Sequence, residues 1–347
     1  MAKVRWGLLS TASIGRLVIE ATRQAQLAKF VAVASRDAAR ARRFADELEL
    51  DASFGSYEEL LASEEVDAIY VALPVSMHTQ WTVRSLAAGK HVLCEKPFAT
   101  SAEDAARCFD AAASAGKLCA EGLMYRHHPQ TALARKLVSE GALGRLTSVR
   151  AALSVSVDPR DIRRSAELGG GALLDLGCYC VSAVRLFAGQ PKRVYAEQVR
   201  DGAAGIDLRL SATMRMPYHV LAQFDVGLDL PRRDELELIG TGGKLTIPDP
   251  WLCRRGYLEL ERDGDSERLP VDPAGSFGLV HPDHDVYRIE LDTISAAIAG
   301  GEQPSFGRTD AVDQATVLQA LRRSSEHTVP VGLGLEAPPA ATSRRES

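Results

Sequence analysis

The feature that most constrains this chain is an alternation along its first third. Short apolar runs at Val4–Leu9, Lys29–Ala34, Ala68–Leu73, His91–Cys94 and Leu118–Gly122 take turns with segments of helical spacing at Ile14–Gln24, Ala38–Leu48, Met77–Ala88 and Ala102–Ala115, with a short helix at Tyr57–Leu61. Ala68–Leu73 is continuously apolar, the pattern of a strand covered by helices on both faces. Such a β-α-β rhythm predicts a parallel sheet with right-handed crossovers. An α/β domain bound to a ligand beyond the carboxyl ends of its strands is therefore expected over residues 1–123.

Beyond residue 123 the rhythm changes. A helix at Pro129–Glu140 precedes a long strand-like stretch at Leu146–Val157 and another helix at Leu173–Phe187. Strands follow at Val194–Val199, Asp207–Met214, Tyr218–Asp225, Asp234–Gly240, Lys244–Ile247 and Tyr257–Glu261, separated by turn formers such as Gly240-Thr241-Gly242-Gly243. This predicts an α+β domain over 124–308, built on a large, mostly antiparallel open sheet with helices on one side. Tyr287–Ile298 and Asp310–Ser324 have amphipathic spacing, and the last helix, about 309–325, is expected to pack back on the first domain. The segment 336–347, with Pro338-Pro339 and few apolar residues, is expected to be disordered.

Composition excludes several classes of function. With 347 residues, about two domains are expected. A net charge of -5 offers no electrostatic footprint for nucleic acid. No apolar run approaches the roughly 20 residues needed to span a bilayer, and the start lacks the pattern of a signal peptide, so a cytoplasmic protein with a small-molecule partner is expected. Cys94, Cys108 and Cys119 fall in apolar or helical patterns and are expected to be reduced core residues. Cys178 and Cys180 lack a second pair or a histidine cluster, so no metal site is expected.

The first strand-to-helix corner reads Ser10-Thr11-Ala12-Ser13-Ile14-Gly15. Only the last glycine of a G-x-G-x-x-G fingerprint is kept, yet small residues before a helix N-terminus still let backbone N–H groups approach a pyrophosphate. The second strand ends Ser35-Arg36-Asp37, where a hydroxyl and a guanidinium suit the 2′-phosphate of NADP(H) better than the ribose of NAD(H). Asp37 serving NAD in a shifted register is the alternative. The fourth apolar run delivers Glu95-Lys96-Pro97 to the same end of the sheet.

Together, Trp6-Gly7-Leu8-Leu9-Ser10-Thr11-Ala12, Leu73-Pro74 with His78, Glu95-Lys96-Pro97, Met124-Tyr125-Arg126-His127-His128-Pro129 and Gly169-Gly170-Gly171-Ala172-Leu173-Leu174-Asp175-Leu176-Gly177-Cys178-Tyr179 resemble the glucose-fructose oxidoreductase/inositol dehydrogenase family. The resemblance covers about residues 4–330. It implies an N-terminal Rossmann domain and a C-terminal sheet that often forms subunit contacts, hence a homodimer or homotetramer. It also implies NAD(P)-dependent redox of sugars, polyols or similar alcohols. The resemblance places Ser10 to Gly15, Ser35, Arg36, Leu73, Pro74, His78, Glu95, Lys96 and Pro97 at the cofactor. Many members carry histidine as acid/base where this chain has Tyr179. That departure resembles the branch of glucose-fructose oxidoreductase, dihydrodiol dehydrogenase, NADP-dependent xylose dehydrogenase and sugar 3-ketoreductases.

The residue chemistry agrees with that reading. A tyrosine holds its proton at neutral pH, so Tyr179 can donate to a carbonyl oxygen as hydride arrives. Lys96 supplies positive charge, which stabilises the developing alkoxide and is expected to lower the phenol. Asp175 lies one helical turn before Tyr179, placed to orient Lys96 or bind a substrate hydroxyl. Arg126 and His127 are candidate substrate contacts, with His128 equally open to a structural role. Arg163, with Arg160 and Asp161, lies on a loop able to read an anionic group. The expected function is an NADP(H)-dependent oxidoreductase that moves hydride between nicotinamide and a sugar or polyol carbon. The alternatives are a trans-dihydrodiol dehydrogenase and a non-enzymatic dinucleotide-sensing regulator on the same fold.

Overall fold

In the computed structural model, which describes residues 2–279, 282–302 and 304–333, the alternating third forms six strands and five helices. They are β1 (Val4–Leu9), α1 (Ser13–Thr22), β2 (Ala28–Ala34), α2 (Ala38–Leu48), β3 (Ala52–Phe54), α3 (Tyr57–Ala62), β4 (Ala68–Val71), α4 (Val75–Ala87), β5 (His91–Glu95), α5 (Ala102–Ala115) and β6 (Cys119–Gly122). The sheet order is β3-β2-β1-β4-β5-β6, all parallel. This is the doubly wound dinucleotide-binding arrangement, with its switch point between β1 and β4. Helix starts follow local chemistry, since Asp37, Ser56 and Ser101 each accept a backbone N–H three residues on. The edge strand β3 has too few residues to show a period, and nothing in its sequence marked it.

Among the described residues the second sheet has nine strands. After α6 (Pro129–Ser139) come β7 (Leu146–Ser154), α7 (Cys178–Ala188), β8 (Arg193–Arg200), β9 (Asp207–Arg215), β10 (Leu221–Gly227), β11 (Arg233–Gly240), β12 (Lys244–Thr246), β13 (Tyr257–Arg262) and β14 (Asp265–Pro270). Then α8 (Asp285–Gly300), α9 (Arg308–His327) and β15 (Val331–Gly332) complete the order β14-β13-β12-β11-β7-β10-β9-β8-β15. Only β7 and β10 pair in parallel, so the sheet is mixed and mostly antiparallel. Along β9, Leu210, Ala212 and Met214 are buried while Arg209, Ser211, Thr213 and Arg215 face out. One face thus packs on helices and the other is open.

Several expected boundaries shift by a few residues, and two of them do so for a physical reason. The strand expected from Tyr218 begins at Leu221, because Pro217–His219 form a tight turn with Tyr218 and His219 at positive φ. The helix expected over Leu173–Phe187 is interrupted at its start by a π-helical turn, Leu173–Gly177, ahead of α7. The segment 336–347 lies outside the described residues.

Helices α8 and α9 tie the two sheets together. Helix α8 lies against α1, β1 and β2, where Trp6 Nε1 donates to Ser295 Oγ at 3.0 Å and Asp292 accepts the backbone N–H groups of Gln26 and Leu27. Helix α9 packs on both α5 and β8. Its Gln319 accepts from the Ala102 N–H at 2.9 Å, and its Ser324 accepts from the Ala196 N–H at 3.0 Å. A continuous apolar core runs from Trp6 through Tyr125 and Tyr179 to Leu260.

Candidate active site

Strand β5 delivers Lys96 to the carboxyl edge of the first sheet, with a cis peptide to Pro97. Lys96 Nζ donates to the backbone oxygen and to Oδ1 of Asp175, both at 2.8 Å. Both side chains are 15% exposed, so the pair is sheltered yet within reach of a ligand. Burial works against the ammonium, but the Asp175 carboxylate outweighs it and holds Lys96 above the ordinary lysine range. The other carboxylate oxygen, Asp175 Oδ2, is buried without a hydrogen bond, and Arg163 Nη1 stands 3.8 Å away. An acceptor in that state is open to a ligand donor.

Tyr179 follows one turn later, and its ring lies beneath the lysine, with Nζ 5.1 Å from the centroid. The hydroxyl donates to Met124 Sδ at 3.5 Å, a weak acceptor, and Trp251 packs at 5.7 Å between centroids. Burial holds the phenol well above its ordinary value. The expected lowering by Lys96 is therefore corrected. The ammonium sits over the ring face, and desolvation decides the sign.

Beside Lys96 and Asp175 a narrow cavity of about 110 Å³ is lined by Leu73, Pro74, Val75, His78, Lys96, Pro97, Ile162, Arg163, Leu168, Gly169, Gly170 and Asp175, with Tyr179 buried behind the lysine and not in its lining. His78 edges it, but its ring nitrogens lie 2.9 Å from the Pro97 oxygen and 2.7 Å from the Leu73 oxygen. Its side chain clamps the ends of β4 and β5, and burial lowers its pKa. Glu95 turns inward, accepting from the Tyr70 hydroxyl at 2.6 Å and from the Lys96 N–H at 3.1 Å. Both side chains support the turn that carries Lys96.

The corner Ser10 to Gly15 fits a dinucleotide. Ala12 precedes α1 without a side-chain cap, and the first turn carries no acidic residue, so its N–H groups remain available to an anion. Ser10 takes φ 96 and donates to the Ala72 oxygen at 2.7 Å, which fixes the tight turn. A Cβ on Gly15 would stand 2.5 Å from Leu8 Cδ2, so α1 lies close on β1 and a larger residue there would displace the Leu8 side chain. At the end of β2, Ser35 Oγ accepts from Arg40 Nε and Nη2, both at 3.2 Å. Arg36 is exposed beside the Tyr57 hydroxyl. Asp37 is used as the cap of α2, accepting the Arg40 N–H at 3.0 Å.

Other expected contacts lie elsewhere. Arg126 is buried, donating to Ser182 Oγ at 2.8 Å and pairing with Asp310, with its guanidinium over Phe306. It is a tie between α7 and α9 rather than a cleft residue. His127 packs edge-on against Phe306, and burial with the Arg126 charge holds it down to about 4. His128 is the cap of α6, its Nδ1 accepting the Gln130 N–H at 3.1 Å. Arg160 pairs with Asp158 in solvent, whereas Arg163 pairs with Asp161 at 2.7 Å and borders the cavity. Sequence reasoning missed Arg40, Met124 and Trp251. Arg40 stands four residues after Arg36, in the first turn of α2, and that closeness to the end of β2 was the available signal. Trp251 belongs to a distant loop and carried none.

Comparison with known proteins agrees with this geometry. Residues 4–123 match the model of the oxidoreductase family GFO/IDH/MocA with an NAD-binding Rossmann fold, and residues 131–246 match the GFO/IDH/MocA C-terminal domain. The chain is 35% identical over 328 residues to D-xylose 1-dehydrogenase (NADP(+)) 2 of Haloferax volcanii, covering 92% of this chain and 97% of that one. It is 35% identical over 329 residues to the dTDP-3,4-didehydro-2,6-dideoxy-alpha-D-glucose 3-reductase of Saccharopolyspora spinosa, covering 92% and 96%. A 3-ketoreductase from Actinomadura kijaniata, solved in complex with NADP and TDP-benzene, superposes with a TM-score of 0.84 at 31% identity, covering 93% of this chain and 98% of that one. With both sheets and nearly the full length of these relatives matched, the chain belongs to the GFO/IDH/MocA family of NAD(P)-dependent oxidoreductases.

Proposed function

We propose that this protein is an NADP(H)-dependent oxidoreductase that moves hydride between nicotinamide and a sugar carbon, with its resting site arranged to reduce a keto sugar. The observation that carries the reading is the Asp175-bound Lys96 ammonium at the strand edge, stacked over the ring of a still-protonated Tyr179. When bound, the nicotinamide supplies or takes up hydride. Lys96 stabilises the negative charge that grows on the substrate oxygen, and Tyr179 gives that oxygen its proton. Asp175 holds Lys96 in place through Oδ1 and keeps Oδ2 for a neighbouring sugar hydroxyl. Arg163 borders the mouth and suits an anionic substituent.

The preference for NADP(H) is supported by Arg36 and Arg40 beside Ser35, and by the use of Asp37 as a helix cap instead of a ribose acceptor. The open face of the second sheet supports a homodimer or homotetramer. A hollow of about 540 Å³ lies there among Arg150, Tyr195, Glu197, Thr213, Gln223 and Glu237. The test is nicotinamide absorbance with purified protein, running NADPH against nucleotide-linked keto sugars and NADP+ against free aldoses and diols. Oxidation of NADPH by keto sugars is expected. Turnover of aldoses or diols alone would reverse the assigned direction, and silence in both arms despite cofactor binding would leave the sensing regulator.

A further inference from the structure

We propose that Asp207 is a positioning residue for the Lys96–Asp175 pair, holding the turn Leu173–Gly177 from the second sheet. The inference rests on the reading of that pair as catalytic. Leu173 opens the π-helical turn, and its backbone N–H donates to Asp207 Oδ2 at 2.6 Å. Two residues on, Asp175 gives both its backbone oxygen and its carboxylate to Lys96 Nζ. A shift of the Leu173 N–H is thus passed through a short turn to both acceptors of the ammonium. A carboxylate at this place also meets the positive end of the helix.

The backbone just before the turn is matched to the aspartate. Gly171 takes φ +120, and a Cβ there would stand 2.1 Å from Asp207 Oδ1. Gly169 and Gly170 border two cavities, the cleft on one side and a polar hollow of about 380 Å³ on the other. Asp207 lines that second hollow together with Arg200 of β8, Arg322 and Glu326 of α9, and Glu167 of the preceding loop. Burial raises the Asp207 carboxyl to about 6, against the pull of the Leu173 N–H and the charges of Arg200 and Arg322. The carboxylate is therefore charged at neutral pH, and its bond to Leu173 weakens as pH falls through about 6.

Asp207→Asn tests this, since it keeps the shape and an acceptor oxygen while removing the charge. At pH 7.5 kcat is expected to fall about tenfold, with NADPH Kd within about twofold of wild type. Wild-type kcat is expected to decline below about pH 6, and the variant's profile to be flat there. A second readout needs no turnover. Acylation of Lys96 by an amine-directed reagent, measured by mass spectrometry against surface Lys29, is expected to rise several-fold in the variant. Equal labelling of Lys96 in variant and wild type overturns the proposal whatever the turnover. Faster labelling in a protein that turns over none of the sugars would sink the catalytic reading and leave the positioning role standing.

Discussion

At the scale of single residues, the proposed mechanism divides the labour of one proton transfer between Lys96 and Tyr179. Lys96→Met removes the charge at the substrate oxygen while preserving the stem, so kcat is expected to fall by about 10³-fold with NADPH binding kept. Near-normal turnover would remove Lys96 from the mechanism. Because burial holds the Tyr179 phenol above its ordinary value, its donor form persists through neutral and mildly alkaline pH. Keto-sugar reduction is therefore expected to show no loss of kcat/KM from pH 7 to about 9.5, where an unshifted tyrosine of pKa near 10 would begin to titrate. A falling limb in that window would assign the proton to another group. Arg40→Ala and Arg36→Ala are each expected to raise the Kd for NADPH by tenfold or more and that for NADH by less than twofold. Equal losses in titrations of the two cofactors would show that neither arginine reads the 2′-phosphate. The first of these arginines was unseen in the sequence, because a helix-start residue gains its role only when the strand end curls back to meet it.

At the scale of elements, the site depends on how helices begin. Gly15→Ala would press a methyl onto Leu8 and displace its side chain. A loss of about 1–3 kcal/mol is expected in thermal unfolding, together with weaker NADPH binding. His128 caps α6 as a neutral base, and burial holds it down to about 4, so the unfolded chain binds its proton first. The sign follows: this contribution is complete above about pH 6.5 and is lost as pH falls toward 4. His128→Asn retains a cap without that proton, and its urea midpoint is expected to drop less than the wild type's between pH 7.5 and 5. Most helices and strands were legible from period and punctuation alone. The sharp turn at Tyr218 and the π-helical start of the Leu173 helix were not, since both are set by packing partners far along the chain.

At the scale of the molecule, five strands of the first sheet were readable because buried parallel strands advertise themselves as short, predominantly apolar runs. The open face of the second sheet was readable as alternation. If that face joins subunits, Thr213→Glu, placed between Tyr195 and Gln223, is expected to shift the mass by light scattering to that of a monomer. An unchanged assembly would move the interface elsewhere. Helix α9 reaches across both sheets. Gln314 of α9 donates to the Cys178 oxygen at 2.7 Å, and Asp310 pairs with Arg126 and Arg185, so the segment bearing Tyr179 is buttressed by residues more than a hundred positions later. A ribosome making this chain from its amino end would release the Ser10–Gly15 corner early, yet the segment bearing Tyr179 would lack its buttress until α9 emerged and docked.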